Sequence, residues 1–312
     1  MFSLPEKFRQ PAPLQPGDRL TVVSPSGSLR ELVDFQKGVE IWRSWGYEVT
    51  FSQGYENRLG YLAGTDQQRR EDLLNAWLDP DCKGILCSRG GYGSARLLEN
   101  WQWPEIDQPK WLIGFSDVTG LLWSLLKSGI ISLHGPVLTT LGDEPDWALE
   151  RLHNYLQGSP LAPLTGKGWH LGKVQGRLIA GNLTVATHFL GTDWQPNFDK
   201  VILAIEDVGE APYRIDRMLT QWRASGNLSK LAGIALGQFS GCEAPNGFPS
   251  CTVEEVLGDR LGNLGIPIVA DLPFGHGAVN AVLAVGGEVE LDGEKGSLTF
   301  LETPKTELMI KD

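Results

Sequence analysis

The chain has 312 residues, 41% of them hydrophobic and 21% charged, which is the composition of a globular protein and not of a disordered or fibrous one. Its 27 Lys and Arg against 38 Asp and Glu give a formal net charge of −11. This acidic balance argues against nucleic acid or an anionic membrane surface as a partner, because both are bound through basic side chains.

The first half of the sequence alternates short apolar runs with helix-like stretches. Strands are predicted at Arg19–Ser24, Tyr47–Phe51, Gly84–Cys87 and Trp111–Phe115, with helices ending near Trp45 and spanning Thr65–Leu78, Ser94–Asn100 and Val118–Ser128. This alternation predicts a parallel sheet covered by helices on both faces. Because ligands sit beyond the carboxyl ends of such strands, the loops at 24–27, 88–93 and 116–117 are expected to converge.

The second half follows a looser stretch, rich in Gly and Pro, that begins near Gly142. It contains an apolar strand at Val201–Ile205, an amphipathic helix built on Ile215, Met218, Leu219 and Trp222, and alternating segments from Val282 to Phe300. This pattern predicts a smaller mixed α/β unit that ends in antiparallel strands. We expect a first domain over 1–155, a linker over 156–175 and a second domain over 176–312.

The cysteines and the N-terminus bear on cofactors and location. The four cysteines, Cys82, Cys87, Cys242 and Cys251, have no C-x-x-C spacing and no histidine at ligand spacing, so neither a zinc site nor a redox motif is expected. The N-terminus lacks the apolar region of a signal peptide, and no apolar run approaches the length of a membrane span. A cytoplasmic location is therefore expected.

Ser116 lies in Gly114-Phe-Ser-Asp-Val118, where a predicted strand runs directly into a predicted helix. This is the setting of a nucleophile elbow, although Val118 stands where the usual G-x-S-x-G pattern has glycine. The first amides of the helix could stabilise a developing oxyanion. The alternative is that Ser116 or Asp117 only caps the helix.

A second candidate is the glycine-rich loop Ser88-Arg-Gly-Gly-Tyr-Gly-Ser94. Adjacent glycines allow the backbone to approach a ligand closely and to donate N–H groups to an anion. Arg89 could hold a substrate carboxylate. An ordinary strand-to-helix turn with a surface arginine explains the same residues.

Two further candidates lie in the second half. Glu206 follows an apolar strand, and a carboxylate in that position can orient a histidine, although a solvated loop acid is the commoner case. His276 lies between glycines in Pro273-Phe-Gly-His-Gly277, where an imidazole is accessible to act as a general base. The chain order Ser, acid, His is that of the α/β-hydrolases, and by itself it makes only a weak case for a serine hydrolase.

Several short motifs, taken together in their order along the chain, are more specific for a protein family than any one of them alone. They are Val23-Ser-Pro-Ser26, Arg89-Gly-Gly-Tyr-Gly93, Ile113-Gly-Phe-Ser-Asp-Val-Thr119, Leu133-His-Gly-Pro136, Gly181-Asn-Leu183, Ile205-Glu-Asp-Val208, Tyr213-Arg-Ile-Asp-Arg-Met-Leu219 and Phe274-Gly-His-Gly277. Together they resemble the LD-carboxypeptidases, or muramoyltetrapeptide carboxypeptidases, a family of serine peptidases related to the microcin-immunity peptidases. The resemblance covers nearly the whole chain.

The resemblance implies roles for particular residues. Ser116 would be the nucleophile, Glu206 the acid and His276 the base, with the amides of Asp117 and Gly91 forming the oxyanion hole. Gly90 is the alternative to Gly91 as the donor of the oxyanion-hole amide. Gly90 and Arg89 are also predicted to bind the substrate. The implied fold is a flavodoxin-like doubly wound sheet followed by a mixed α/β domain, with the active site between them.

The implied substrate is a murein tetrapeptide, cut between the L-centre of a diamino acid and terminal D-Ala by a homodimer that needs no cofactor or metal. One alternative is a microcin-immunity-like peptidase that cleaves a peptidyl-nucleotide. Another is a non-catalytic protein that binds an anionic metabolite through Gly90–Gly93 and the helix at Ser116.

Overall fold

A computed structural model describes residues 1–244 and 249–301. The strands in this part of the chain are β1 (Arg19–Val23), β2 (Glu48–Phe51), β3 (Cys82–Cys87), β4 (Trp111–Gly114), β5 (Ser132–His134), β6 (Leu164–Thr165), β7 (Lys167–His170), β8 (Lys173–Asn182), β9 (Ile202–Val208), β10 (Gly233–Ser240), β11 (Ile268–Ala270), β12 (Leu283–Val285), β13 (Glu288–Asp292) and β14 (Ser297–Phe300). The α-helices there are α1 (Leu32–Ser44), α2 (Asp66–Leu78), α3 (Ser94–Leu97), α4 (Thr119–Lys127), α5 (Leu138–Leu141), α6 (Asp146–Leu156), α7 (Leu183–His188), α8 (Pro212–Ala224) and α9 (Val253–Leu261).

The first sheet has the strand order β12-β5-β4-β3-β1-β2. The five strands from the first half of the chain are parallel to one another, as the alternation predicted. The edge strand β12 is antiparallel to β5 and comes from the range predicted for the second domain. The second half therefore completes the first sheet.

Helices cover both faces of this sheet. Along β3, Ile85 and Cys87 belong to a core cluster that includes Trp77 of α2, while Leu86 belongs to a second cluster that includes Trp42 of α1. Successive side chains of a strand point to opposite faces, so a continuous apolar strand requires cover on both sides. With its faces closed, the carboxyl edge of the sheet is left to its loops.

The second sheet has the order β6-β14-β13-β8-β9-β10-β11-β7. Its centre, β8 to β11, is parallel, and its flanks are antiparallel. The predicted antiparallel tail is confirmed, except that its first strand, β12, joins the other sheet. The molecule is thus an α/β protein built on two mixed sheets. Within the described ranges, no helix is long and apolar enough to cross a bilayer.

The stretch predicted as a linker, 156–175, is not a loose connection. It supplies β6, β7 and the start of β8, and the looser region before it contains α6. A Cβ at Gly166 would overlap the carbonyl oxygen of Ala270, and one at Gly168 would overlap that of Gly293. These glycines serve close backbone packing between strands, which their composition alone did not distinguish from flexibility.

Candidate active site

Ser116 stands at a tight turn between β4 and α4. Its φ of 62° lies in the left-handed region, which residues other than glycine adopt only at a cost in conformational free energy. A Cβ at Gly114 would lie 3.0 Å from Cγ1 of Val118 and 3.1 Å from Cβ of Cys87. Glycine at 114 therefore lets the turn pack tightly, with Val118 filling the position where the usual elbow has a second glycine.

His276 links Ser116 to Glu206. Nε2 of His276 lies 3.0 Å from Oγ of Ser116, and Nδ1 lies 2.6 Å from Oε2 of Glu206. Both distances are within hydrogen-bond range. Three residues from two sheets, 160 positions apart at the extremes, thus form one continuous hydrogen-bonded chain.

An acid in this sequence context most often lies in solvent at the end of a strand. Glu206 does not. Strand β9 continues to Val208, and Glu206 is completely buried within it. Burial would raise the pKa of this carboxyl, but the hydrogen bonds and charge of His276 outweigh it, so the pKa lies below its usual range. The carboxylate is therefore kept ionised beside the imidazole.

A second histidine, His134, lies beneath the site. Its ring is 5.9 Å from that of Phe115 and 6.0 Å from that of Phe274, measured between centroids. Neither ring nitrogen has a hydrogen-bond partner in the described part of the chain. Burial lowers the pKa of His134 to about 4, against the opposing charge of Glu206. At neutral pH it is an uncharged part of the apolar floor.

The glycine-rich loop contacts the serine directly. A Cβ built on Gly90 would lie 2.9 Å from Cβ and 3.0 Å from Oγ of Ser116, and 3.8 Å from the main-chain nitrogen of Asp117. Gly91, with a φ of 110°, faces Gly27 and Arg89 instead. The main-chain N–H of Gly27 donates to the carbonyl oxygen of Gly90 at 3.1 Å, so the three predicted loops do converge.

The side chain of Asp117 is buried and holds a neighbouring helix. Its Oδ2 accepts a 2.7 Å hydrogen bond from the main-chain N–H of Ser94, at the start of α3. The residue also lies within the turn Ser116–Val118 that leads into α4, where the first N–H groups of a helix have no acceptor within that helix. The carboxylate thus fixes the turn, and the main-chain N–H remains suited to an anion.

Arg89 lines an open cleft of about 410 Å³ beside these loops. The other residues around this cleft are Gly27, Arg30, Tyr61, Gly91 and Tyr92. The Arg89 guanidinium is already paired with Glu31, with Nε 3.3 Å from Oε2. This ion pair fixes the guanidinium at the cleft wall and competes with its use as a carboxylate receptor.

Sequence profiles of two domains match this chain. The LD-carboxypeptidase N-terminal domain matches residues 20–135, and the LD-carboxypeptidase C-terminal domain matches residues 175–291. The chain belongs to the LD-carboxypeptidase family.

Relatives with assigned names agree with this membership. A Synechocystis sp. protein that carries a provisional carboxypeptidase name is 81% identical over 96% of this chain and all of its own length. The murein tetrapeptide carboxypeptidase of Pseudomonas aeruginosa is 36% identical over 80% of this chain and 85% of its own. Murein peptide processing is accordingly the activity named among its relatives.

Two solved structures share the fold of this chain. The muramoyltetrapeptide carboxypeptidase of Oxalobacter formigenes superposes with a TM-score of 0.77 at 31% identity, covering 90% of this chain and 97% of that one. The microcin C7 self-immunity protein, in a complex with glutamyl sulfamoyl guanosine, gives a TM-score of 0.85 at 24% identity over 94% and 98% of the two chains. At that identity the second likeness establishes the fold alone.

Sequence reasoning missed one buried residue that shapes this candidate site. Arg69 of α2 is 2% exposed, and it donates to the carbonyl oxygens of Pro25 and of Gly93, the latter at 2.9 Å. It ties the loop after β1 to the loop after β3, with Asp66 as its ionic partner. Its sequence context, a polar helix, carries no signal of this role.

In residues 1–244 and 249–301, no three His, Cys, Asp or Glu side chains are grouped as a metal site would need.

Proposed function

We propose that the protein is a serine peptidase that hydrolyses the L,D bond between a diamino acid and the terminal D-Ala of a murein tetrapeptide. The observation that carries this proposal is the hydrogen-bonded chain from Ser116 through His276 to Glu206. A hydroxyl, an imidazole and a buried carboxylate in this order are the parts of a nucleophilic triad. Family membership supports the substrate class.

In the proposed mechanism, Nε2 of His276 takes the proton of Ser116 as its Oγ attacks the carbonyl carbon before D-Ala. The Nδ1–H of His276 donates to Glu206, whose carboxylate keeps the other ring nitrogen free and stabilises the imidazolium. The tetrahedral intermediate expels the amine of D-Ala, which receives the proton from His276. Water then attacks the acyl-enzyme by the same route and releases the tripeptide and Ser116.

The oxyanion hole is proposed to consist of the main-chain N–H of Asp117 and one N–H of the glycine-rich loop. Gly90 lies against Ser116 and Gly91 lies next to it, so each amide is a candidate, with Gly91 preferred from the family resemblance. Such a donor is worth about 3–4 kcal/mol of transition-state stabilisation. Arg89 is proposed to face the terminal carboxylate, which requires that it share its charge with Glu31.

The testing experiment compares L-Ala-γ-D-Glu-meso-diaminopimelyl-D-Ala with its L-Ala-terminated isomer, with mass spectrometry as the readout. We expect cleavage of the D-isomer only, because inverting the last Cα moves its carboxylate from its donor, and an unpaired buried charge costs several kcal/mol. Ser116→Ala is the matched control. EDTA is expected to leave the rate unchanged. Equal cleavage of both isomers, or loss of activity with EDTA, would contradict the proposal.

The same reaction could act on a different peptide. The family resemblance keeps a peptidyl-nucleotide substrate as the alternative, and the microcin C7 self-immunity protein, at 24% identity, shares the fold. A non-catalytic anion-binding role predicts that a fluorophosphonate would not label Ser116. Labelling without cleavage of the tetrapeptide would favour the peptidyl-nucleotide substrate.

Three further properties are proposed. A homodimeric state and a flavodoxin-like arrangement of the first sheet rest on the family resemblance, whereas a cytoplasmic location rests on the cysteine and N-terminal sequence patterns. The parallel order β2-β1-β3-β4-β5 supports the flavodoxin-like arrangement, since it is the order of flavodoxin-like sheets. Sedimentation of the purified protein tests the dimer.

A further inference from the structure

We propose that Glu144 is a positioning residue for the catalytic base, acting on the His276 loop through Asn280. Oε2 of Glu144 accepts a 2.9 Å hydrogen bond from the main-chain N–H of Asn280. Oδ1 of Asn280 in turn accepts a 2.9 Å hydrogen bond from the main-chain N–H of Gly275, the residue before His276. This inference rests on the proposed role of His276 as a base.

The link joins distant parts of the molecule. Glu144 lies between α5 and α6, beside the first sheet, whereas Asn280 and Gly275 belong to the loop between β11 and β12. The two bonded residues are 136 positions apart in the chain. Glu144 also lies outside both matched family regions, 20–135 and 175–291. The contact therefore connects the side of the nucleophile to the side of the base.

Gly275 is the point at which this link reaches the triad. A Cβ there would lie 2.5 Å from Cγ and 2.6 Å from Cβ of Glu206, and the φ of Gly275 is 99°. The Gly275 backbone therefore packs against the Glu206 side chain with no room for a Cβ, immediately before His276. A hydrogen bond that holds the Gly275 N–H restricts where the backbone can place the His276 imidazole.

The His276 loop is also held by a hydrogen bond within the loop itself, and the contact with Glu144 adds to it. The main-chain N–H of Ala281 donates to the carbonyl oxygen of Pro273 at 2.9 Å and closes the base of the loop. Asn280 is 3% exposed. Burial raises the pKa of Glu144 to about 7 despite the Asn280 N–H, so its carboxylate is kept there at a cost in free energy. Such a cost is typical of functional positions.

The experiment measures the rate at which a fluorophosphonate labels Ser116, together with kcat and KM on the tetrapeptide. Glu144→Ala should lower the labelling rate and kcat by about 10- to 100-fold with KM unchanged, because a small displacement of a catalytic group has effects of this size. Glu144→Gln keeps an oxygen acceptor for the Asn280 N–H and should stay within about threefold of the parent. Asp143→Ala, at the exposed neighbouring acid, should match the parent.

A second pair of variants tests whether the two bonds act in series. Asn280→Ala removes the acceptor for Gly275 but keeps its own main-chain N–H. If the bonds form one path, Glu144→Ala combined with Asn280→Ala should be no slower than the slower single variant, within about twofold. Multiplied losses in the double variant would overturn the proposal.

Other results would also overturn it. One is a parental labelling rate and kcat in Glu144→Ala, or in Asn280→Ala if Glu144→Ala does not fold. Another is an equal loss of labelling rate in Glu144→Ala and Glu144→Gln. Failure of the proposed function gives a different pattern. A parent that is labelled at Ser116 but does not cut the tetrapeptide sinks the substrate assignment and leaves the labelling comparison intact. A parent that is not labelled at all sinks both.

Discussion

One oxygen of Glu206 binds His276 at two points. Oε2 accepts from the imidazole at Nδ1 over 2.6 Å and from the main-chain N–H of the same residue over 3.0 Å. The ring and the backbone that carries it are therefore oriented by a single, fully buried carboxylate. Because Nδ1 is engaged, Nε2 is the nitrogen that faces Ser116.

Removing members of the proposed triad should have graded effects. Ser116→Ala and His276→Ala should each lower kcat by about a million-fold, as in a comparable hydrolase. Glu206→Gln should cost less, about ten-thousand-fold, because the acid orients and stabilises the base without reacting itself. The measurement is kcat on the D-Ala-terminated tetrapeptide. Near-normal activity of Ser116→Ala would exclude the serine mechanism.

Glu206 and Asp207 are adjacent acids with different functions, because neighbouring side chains of a strand point to opposite faces. Asp207 accepts hydrogen bonds from Asn182 Nδ2 at 2.9 Å and from Thr184 N–H at 2.9 Å and Thr184 Oγ at 2.7 Å. Asp207→Asn should therefore lower the free energy of unfolding by about 1–3 kcal/mol, since its amide would face donors. Urea titration gives this value. In the folded variant kcat should change by less than about threefold, and a loss as large as that of Glu206→Gln would contradict the assignment.

Gly90→Ala tests the close approach of the glycine loop to Ser116. Its new Cβ would meet Cβ of Ser116 at 2.9 Å, so either the loop or the serine must shift. We expect about a hundredfold loss in the labelling rate of Ser116, with the fold retained. Gly258→Ala in α9 is the matched control, because its Cβ would meet nothing within 4 Å. That variant should be fully active and slightly more stable. Equal activity of the two variants would show that position 90 accommodates a Cβ without displacing Ser116.

His134 should make stability depend on pH. Its pKa is about 4 in the folded protein against 6.5 as the ordinary value, so below pH 6.5 the unfolded chain takes up a proton that the folded chain does not. The unfolding free energy should then fall as the pH drops from 6.5 to 4, by about 3 kcal/mol in total.

The measurement for His134 is urea unfolding at several pH values in the parent and in His134→Leu. The variant should lack this component of the acid sensitivity and should fold, because neither ring nitrogen loses a partner in the described part of the chain. Gly258→Ala, which removes no titratable group, should keep the parental pH dependence. Parallel curves for the parent and His134→Leu would contradict the prediction.

Much of the local structure was predictable from hydrophobic periodicity. The individual strands of the first sheet, the amphipathic helix α8 and the turn at Ser116 each follow from residues within about ten positions of one another. Errors arose where one pattern has two physical causes. Gly166 and Gly168 resemble a flexible linker, yet they permit close strand packing. Glu206 resembles the end of a strand, yet β9 continues through it.

The alternation of strands and helices, the strand-to-helix turn at Ser116 and, through the ordered motifs, the family can all be read from the sequence. Three features cannot: that β12 completes the first sheet, that Gly90 contacts the serine, and that Glu144 reaches the His276 loop. Periodicity and turn chemistry act only between near neighbours in the chain. Hydrogen bonds between residues 70 to 160 positions apart depend on how two sheets pack, which no local pattern encodes.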